Sequence, residues 1–320
     1  MLYVYGPVPS RRLGSSLGVN LTPFKTCSYS CVYCQLGRTT CKTVERKSFF
    51  PKEKVFEEVV EAVSKLSKAG GPDCVTFAGE GEPTLNSDLG WLLDRVNELG
   101  VRSAVITNSS LLWRKDVREE LSISDICLPS LDAVSENVFR RINRPHRSLT
   151  AEKVVSGLLE FADDYEGELM LEVMLVKGYN DSVEELEKIA RVASEMKPDR
   201  IHILTPTRPP ASEVEPSESI STAVECFEKA GVEVDTVYLP ESGSFDYSTF
   251  STLEEAVRLM SRHPLRESQA LEMVKHFGRS LKELEEIEGV EVRKFRGVRF
   301  YFYNPAYTCK SRKLEKGEGT

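Results

Sequence analysis

No stretch of this chain comes near the roughly 20 consecutive apolar residues that a membrane-spanning helix needs. The opening residues, MLYVYGPVPSRRLG, carry neither the charged start nor the apolar stretch of a secretory signal. The expectation is a cytoplasmic protein with no membrane partner. Histidine is scarce: there are four in 320 residues, and the first is His146. That leaves no Cys–His set from which a zinc site near the amino end could be built. No cysteine precedes Cys27, no internal repeat recurs, and no low-complexity tract interrupts the body. In such a chain the eight cysteines read as metal ligands, redox groups or small buried hydrophobes, not as a disulfide framework. Cys74 and Cys127 lie in apolar runs and read as core.

What is present is length, alternation and an uneven charge. A chain of 320 residues can bury a large core and has room for one big domain and one small one. The formal charge is −8, yet residues 1 to 48 hold seven basic side chains against Glu45 alone, a local +6. A field of that sign favours an anionic ligand. Apolar runs "SLGVNL", "CVTFAG", "RSAVIT", "DICLPSL", "ELMLEVMLV" and "RIHILTP" alternate with segments of helical spacing such as "KEKVFEEVVEAVSKLSKA" and "SVEELEKIARVASEM". Such alternation predicts an α/β fold, a parallel sheet with helices outside it. Six units suit a partial (β/α)6 barrel better than a closed barrel of eight, with chemistry on the turns at the carboxyl ends of the strands.

The most specific feature is "TPFKTCSYSCVYCQLGRTT", which sets Cys27, Cys31 and Cys34 in one short loop. A zinc site wants four ligands, normally in two close pairs, and only Cys41 lies near. A [4Fe–4S] cluster held by three thiolates leaves one iron open to another molecule, so the missing fourth cysteine is itself the signal. Cys41 and Cys309 are too few to hold a second cluster unless Cys226 or an exogenous ligand joins them.

The CxxxCxxC spacing of "CSYSCVYC", with the aromatic Tyr33 just before the third cysteine, resembles the radical S-adenosylmethionine (radical SAM) superfamily. "AGEGEPTL" resembles that family's Gly-Gly-Glu-Pro motif through Gly81, Glu82 and Pro83, and "ITNSSLL" its Thr-Asn-Gly turn through Asn108, with Ser109 in place of the glycine. "SLDA" and "LVKGYND" match segments after the next strands, so the resemblance spans about residues 10 to 235. "YGPVPSRRLGSSLGVNLTPFKTCSYSCVYCQLGRT", "INRP" and "LTPTRPPA" look most like the wyosine-synthase-like subgroup, which acts on a guanosine of transfer RNA. The chain departs from that subgroup in having no cysteines upstream of the loop for a second cluster.

The resemblance implies a partial barrel, a [4Fe–4S] cluster on Cys27, Cys31 and Cys34, and S-adenosylmethionine chelating the open iron. One electron, from a donor such as a ferredoxin or flavodoxin, then yields methionine and a 5′-deoxyadenosyl radical. Glu82 and Gly81 would place the methionine end, Asn108 and Ser130 would bond the ribose or carboxylate, and Tyr33 would pack on the adenine. Arg11, Arg12 and Arg208 are candidates for an anionic substrate, with RNA among the candidates, because arginine suits fixed carboxylate or phosphate contacts.

Residues 1–238 are assigned to the barrel, 239–250 to a turn-rich linker, 251–304 to a winged-helix-like unit of three helices and a hairpin, and 305–320 to a disordered tail. The hairpin alternation sends Val298, Phe300 and Phe302 inward and Arg299, Tyr301 and Tyr303 outward, a face that could stack nucleotides. An iron–sulfur regulator that binds nucleic acid is therefore the alternative to an enzyme. The turn motifs after the strands favour the enzyme, since a sensor needs no S-adenosylmethionine cradle.

Overall fold

The computed structural model of the protein describes residues 3–67, 70–236, 245–247 and 249–305. Its main sheet has eight strands: β1 (Val4–Ser10) and β2 (Gly14–Val19) form a hairpin. The two-residue strands β3 (Thr26–Cys27) and β4 (Cys41–Lys42) pair with each other in the cysteine loop. Helix α1 (Lys52–Ser67) then leads to β5 (Cys74–Phe77), α2 (Leu89–Glu98) to β6 (Arg102–Thr107), and α3 (Lys115–Leu121) to β7 (Ile126–Pro129). Helices α4 (Glu136–Ile142) and α5 (Ala151–Asp164) precede β8 (Glu168–Met174), α6 (Val183–Met196) precedes β9 (Arg200–Leu204), and α7 (Ile220–Lys229) precedes β10 (Asp235–Thr236).

The strand order is β1-β2-β5-β6-β7-β8-β9-β10, parallel throughout except for the edge strand β1. The six expected βα units are all present, and the fold is the partial barrel. One face of each strand packs on the helices: Val75, Phe77, Val105, Cys127, Leu171, Val173, Ile201 and Ile203 belong to one buried cluster with α1, α2, α5 and α6. The other face lines the lumen, where Cys74, Ala104, Ile126, Leu128 and Met170 form a small apolar floor with Leu13. Period-two alternation alone creates this division, since neighbouring residues of a strand face opposite sides. Cys74 and Cys127 are buried, as core cysteines should be. Among the described residues no helix is long and apolar enough to cross a membrane.

The carboxyl-terminal unit differs from its expected boundaries. Phe245, Tyr247 and Phe250, placed in the linker on sequence, are buried with Leu253, Val257, Met260 and Met273. The turn-rich composition hid aromatic anchors, so this unit's core begins ahead of residue 251. Positions 237–238 at the end of the barrel, 239–244 and 248 of the linker, and 306–320 of the tail with Cys309 lie outside the described residues. The first expected helix is two four-residue turns, α8 (Leu253–Ala256) and α9 (Leu259–Arg262). Then come β11 (Leu265–Arg266), α10 (Glu267–His276), α11 (Leu281–Glu285), β12 (Val290–Phe295) and β13 (Val298–Tyr303). The sheet order β11-β13-β12 puts β13 in the middle.

That placement corrects the hairpin reading. Strands β11 and β12 pair along the two edges of β13; Phe300 and Phe302 are buried as expected, but Tyr301 is fully buried too, in the cluster with Leu253, Met260 and Met273, while Val298 is 40% exposed. The Tyr301 hydroxyl donates to Glu285 at 2.8 Å, and Arg299 is engaged by Glu267 at 2.8 Å. The expected row of outward aromatics does not form.

Candidate active site

The cysteine loop follows β2 and is held down along its length by backbone. Ser30 N and Val32 N donate to the carbonyls of Asn143 and Ile142 at 3.0 and 2.9 Å, and His146 N donates to Ser28 O at 2.8 Å. The "INRP" stretch is thus the bed on which the loop lies. On its other side Glu82 N donates to Thr26 O at 3.2 Å, in a parallel bridge between Thr26 and Gly81. A Cβ on Gly81 would stand 1.8 Å from Thr26 O. Glycine is required there because two backbones touch.

The thiols of Cys27, Cys31 and Cys34 line one cavity of about 450 Å³ inside the barrel. Burial pushes the Cys27 thiol up to about 12, with the nearby Glu82 adding to it, and burial likewise raises Cys31 and Cys34. Thiolates are costly here unless iron neutralises them. Two side-chain amides point at the sulfurs: Asn108 Nδ2 lies 3.4 Å from Cys27 Sγ and Asn143 Nδ2 3.5 Å from Cys31 Sγ. Donors of this kind stabilise a thiolate-ligated cluster. Among the described residues no three His, Cys, Asp or Glu side chains converge on one point as a single-ion site requires. A cluster asks for something wider, because its thiolates each hold a different iron. The residues present therefore fit a [4Fe–4S] cluster with one open iron.

The expected cofactor residues divide into two sets. Tyr33 and Gly81 line the cavity with Gly79 and Glu80. The Tyr33 hydroxyl is tied to Asp132, which also accepts from Asn143 Nδ2 at 2.6 Å and Met174 N at 3.0 Å. Glu82, Asn108 and Ser130 are not part of the cavity wall. Glu82 is 2% exposed. Its Oε1 accepts from Thr84 N, Thr84 Oγ1 and Thr107 Oγ1 at 3.1, 2.7 and 2.7 Å, and its Oε2 accepts from Asn108 N at 2.8 Å. Burial raises the Glu82 carboxyl, with those donors opposing the rise. A carboxylate so enclosed braces the turns after β5 and β6 against each other and does not reach into the cavity.

Ser109, which stands where the motif has glycine, holds the left-handed φ of 65°. Its hydroxyl donates to Ser130 O at 2.8 Å, and its backbone N donates to Thr107 Oγ1 at 3.2 Å. Local hydrogen bonds offset the strain that a side chain incurs there. Ser130 enters the site through this carbonyl.

Arg11 and Arg12 stand just ahead of "SLGVNL", which is β2, and because "VYGPVPS" adds the edge strand β1 before them both lie in the β1–β2 turn, at the amino end of the parallel strands. They still line the cavity. Arg12 pairs with Glu172 on β8, and burial with the neighbouring Arg11 and Arg208 brings its guanidinium down to about 10. Arg208, from the loop after β9, binds across to the carboxyl-terminal unit. Its Nε donates to Pro264 O at 3.1 Å, and a terminal nitrogen lies 2.7 Å from His263 Nε2.

Sequence reasoning missed this junction. Glu80, in the second place of "GEGEP", is buried and accepts from Ser261 Oγ at 2.7 Å and Asn20 Nδ2 at 3.1 Å, with Arg262 Nε 3.4 Å away. Gln35 Nε2 donates to Arg262 O at 3.1 Å. Arg262 and His263 therefore wall the same cavity as the cysteines. The available signal was a glutamate flanked by glycines on a turn at the carboxyl end of the sheet.

Comparison with known proteins agrees with this geometry. Residues 21–193 match the Radical SAM superfamily. The chain is 36% identical over 278 residues to a UPF0026 protein of Methanocaldococcus jannaschii, covering 86% of each. Among solved structures, a radical SAM methyltransferase from Sphaerobacter thermophilus shares the fold with a TM-score of 0.53 at 18% identity, over 70% of this chain and 66% of that one. Streptococcus suis SuiB bound to S-adenosylmethionine gives a TM-score of 0.50 at 18% identity, over 71% of this chain and 50% of that one. With the cysteine triad, the glycine-bearing turn after β5 and the partial barrel in place, the chain belongs to the radical SAM superfamily and stands with the UPF0026 proteins.

Proposed function

We propose that the protein is an enzyme that cleaves S-adenosylmethionine reductively and acts on an anionic substrate inside the barrel. The observation that carries this reading is one cavity with three cysteines at one wall and Arg11 and Arg12 at another. When bound, the cluster and S-adenosylmethionine supply one-electron cleavage of the S–C5′ bond, giving methionine and a 5′-deoxyadenosyl radical. The protein supplies placement and shielding. Cys27, Cys31 and Cys34 hold the cluster, and the amides of Asn108 and Asn143 steady two of its sulfurs. The backbone of Gly79 and Gly81 faces the methionine end, and Tyr33, fixed by Asp132, offers a flat surface to the adenine. Glu82 and Ser130 act through the turns they brace. The Glu80–Arg262 pair forms part of the cavity wall on the side of the carboxyl-terminal unit. The electron comes from a ferredoxin- or flavodoxin-like donor.

Tyr301 is core and gives no stacking platform, so transfer RNA enters only as one arm of the test. The test is 5′-deoxyadenosine formation by anaerobically reconstituted protein with dithionite, measured alone, with pooled small acids of a lysate, and with total transfer RNA. Stimulation by an anionic fraction is expected. Absence of both cleavage and S-adenosylmethionine binding under every condition would replace the enzyme with the iron–sulfur regulator.

A further inference from the structure

One buried group has no use in the chemistry above. His202 lies in the middle of β9, is 4% exposed, and neither ring nitrogen has a hydrogen-bond partner among the described residues. Buried polar atoms are normally paired, and an unpaired one calls for an explanation. In the β8–β9 ladder His202 stands beside Glu172, as Leu204 stands beside Met174. Glu172, Met174 and Leu204 all line the cavity, so the imidazole is on the lumen side, covered beneath that wall and not itself part of it, while Ile201 and Ile203 face the helices. Glu172 is itself 7% exposed and is met by Arg12, which rises from the β1–β2 turn into the lumen. Burial and the positive field of Arg12 bring the His202 imidazole down to about 4, so at neutral pH the ring is uncharged, with one donor and one acceptor unused.

We propose that Arg12, Glu172 and His202 form a binding site for a small acid in the lumen, with the acid group of the ligand on Arg12 and, once Glu172 gives way, a neighbouring polar group on His202. This rests on the enzyme reading and names its substrate class. Glu172 is the internal stand-in for the ligand: it holds Arg12 in place while the site is empty and gives way when a carboxylate or phosphate takes the guanidinium fork. Arg12 reaches the site from the amino end of the strands, while Glu172, the fifth of seven residues in β8, bridges Ser130 just past β7, so the site lies above the apolar floor, in the cavity that the cysteines, Arg262 and His263 also wall. A ligand seated there is enclosed by the barrel, which suits a small molecule.

The experiment uses full-length, cluster-loaded protein labelled with 15N in histidine. Its four histidines are His146, His202, His263 and His276, and His202→Gln identifies the His202 resonance. Acetate and inorganic phosphate are titrated separately, which distinguishes carboxylate from phosphate ligands. A saturable shift at His202 with either anion, and none at His146 or His276, is expected. Arg12→Gln should weaken that anion at least ten-fold. Arg12→Lys, which keeps the charge but loses the fork, replaces it if the first variant does not fold, and should also weaken binding. Glu172→Gln should tighten binding several-fold, because the competing carboxylate is gone. A His202 that neither anion moves, or a Glu172→Gln protein that binds the anion more weakly, overturns the site. So does a His202 shift produced by total transfer RNA at matched phosphate concentration. S-adenosylmethionine cleavage is measured on the same samples: cleavage without any anion response sinks this inference alone, and loss of cleavage as well sinks the reading beneath it.

Discussion

Asn108 donates its side-chain amide to the sulfur of Cys27 across 3.4 Å, while its backbone N donates to Glu82 at 2.8 Å. One residue thereby links the turn after β6, the turn after β5 and the cysteine loop. Asn143 makes the matching contact from the opposite side, to Cys31 and to Asp132. The reactive end of the barrel is therefore an interlocked set of turns.

A hydrogen bond to a cluster sulfur favours the reduced, more negative state. Asn108→Ala should keep the iron of the wild type and lower the cluster's midpoint potential. Taking one such bond as about 1 kcal/mol, the drop is about 40 mV for a one-electron couple. An EPR-monitored redox titration reads it directly. An unchanged potential would reduce Asn108 to a brace of the loop.

Glu82→Gln should act on stability before it acts on the cofactor. The amide places an NH2 group among donors from Thr84, Thr107 and Asn108, leaving buried groups unsatisfied. The cost is about 1 to 3 kcal/mol, or a Tm lower by several degrees. Differential scanning calorimetry beside S-adenosylmethionine binding separates the two roles. A large loss of affinity at unchanged Tm would mean that the carboxylate touches the cofactor.

The Glu80–Arg262 pair predicts a non-additive mutant cycle. Arg262→Ala leaves Glu80 buried with a charge no longer balanced, a loss of about 3 to 5 kcal/mol. Glu80→Gln combined with Arg262→Met removes both charges and should recover much of that loss. Thermal unfolding of the two single variants and the double one decides it, and simple additivity would show that the pair does not couple the units.

His202 sets a pH dependence. Its folded-state value of about 4 lies below the ordinary 6.5. Between these values the unfolded chain binds a proton that the native chain refuses, so stability falls as pH drops from about 6.5 to 4. The full effect of this group is about 3 kcal/mol at most. Chemical denaturation at pH 7.5 and pH 5 should show a smaller acid loss in His202→Gln than in wild type, and equal losses would contradict it.

Much of the barrel was legible because its signal is local. Six apolar runs of strand length alternated with helical spacing, and each became a strand in the expected order. The cysteine loop was legible because three thiols at fixed spacing have few other uses. The β1 strand was not, since Gly6, Pro7 and Pro9 interrupt its pattern. Nor was the burial of Tyr301, because the side chains that cover its face, Leu253, Met260 and Leu265 among them, lie more than thirty positions away. Glu80, Arg262 and His202 escaped for the same reason. Their meaning arises from partners brought together only by the fold, and single charged or imidazole residues in a sequence carry no mark of that.

The most direct measurement is anaerobic turnover of reconstituted protein with S-adenosylmethionine and dithionite, quantifying 5′-deoxyadenosine against iron content. Wild-type protein should hold about four irons per chain and form 5′-deoxyadenosine, and the triple variant Cys27→Ala, Cys31→Ala, Cys34→Ala should lose both. Retention of the iron in the triple variant, or cluster-loaded wild type that makes no 5′-deoxyadenosine with any reductant, would contradict the assignment of this cavity to radical chemistry.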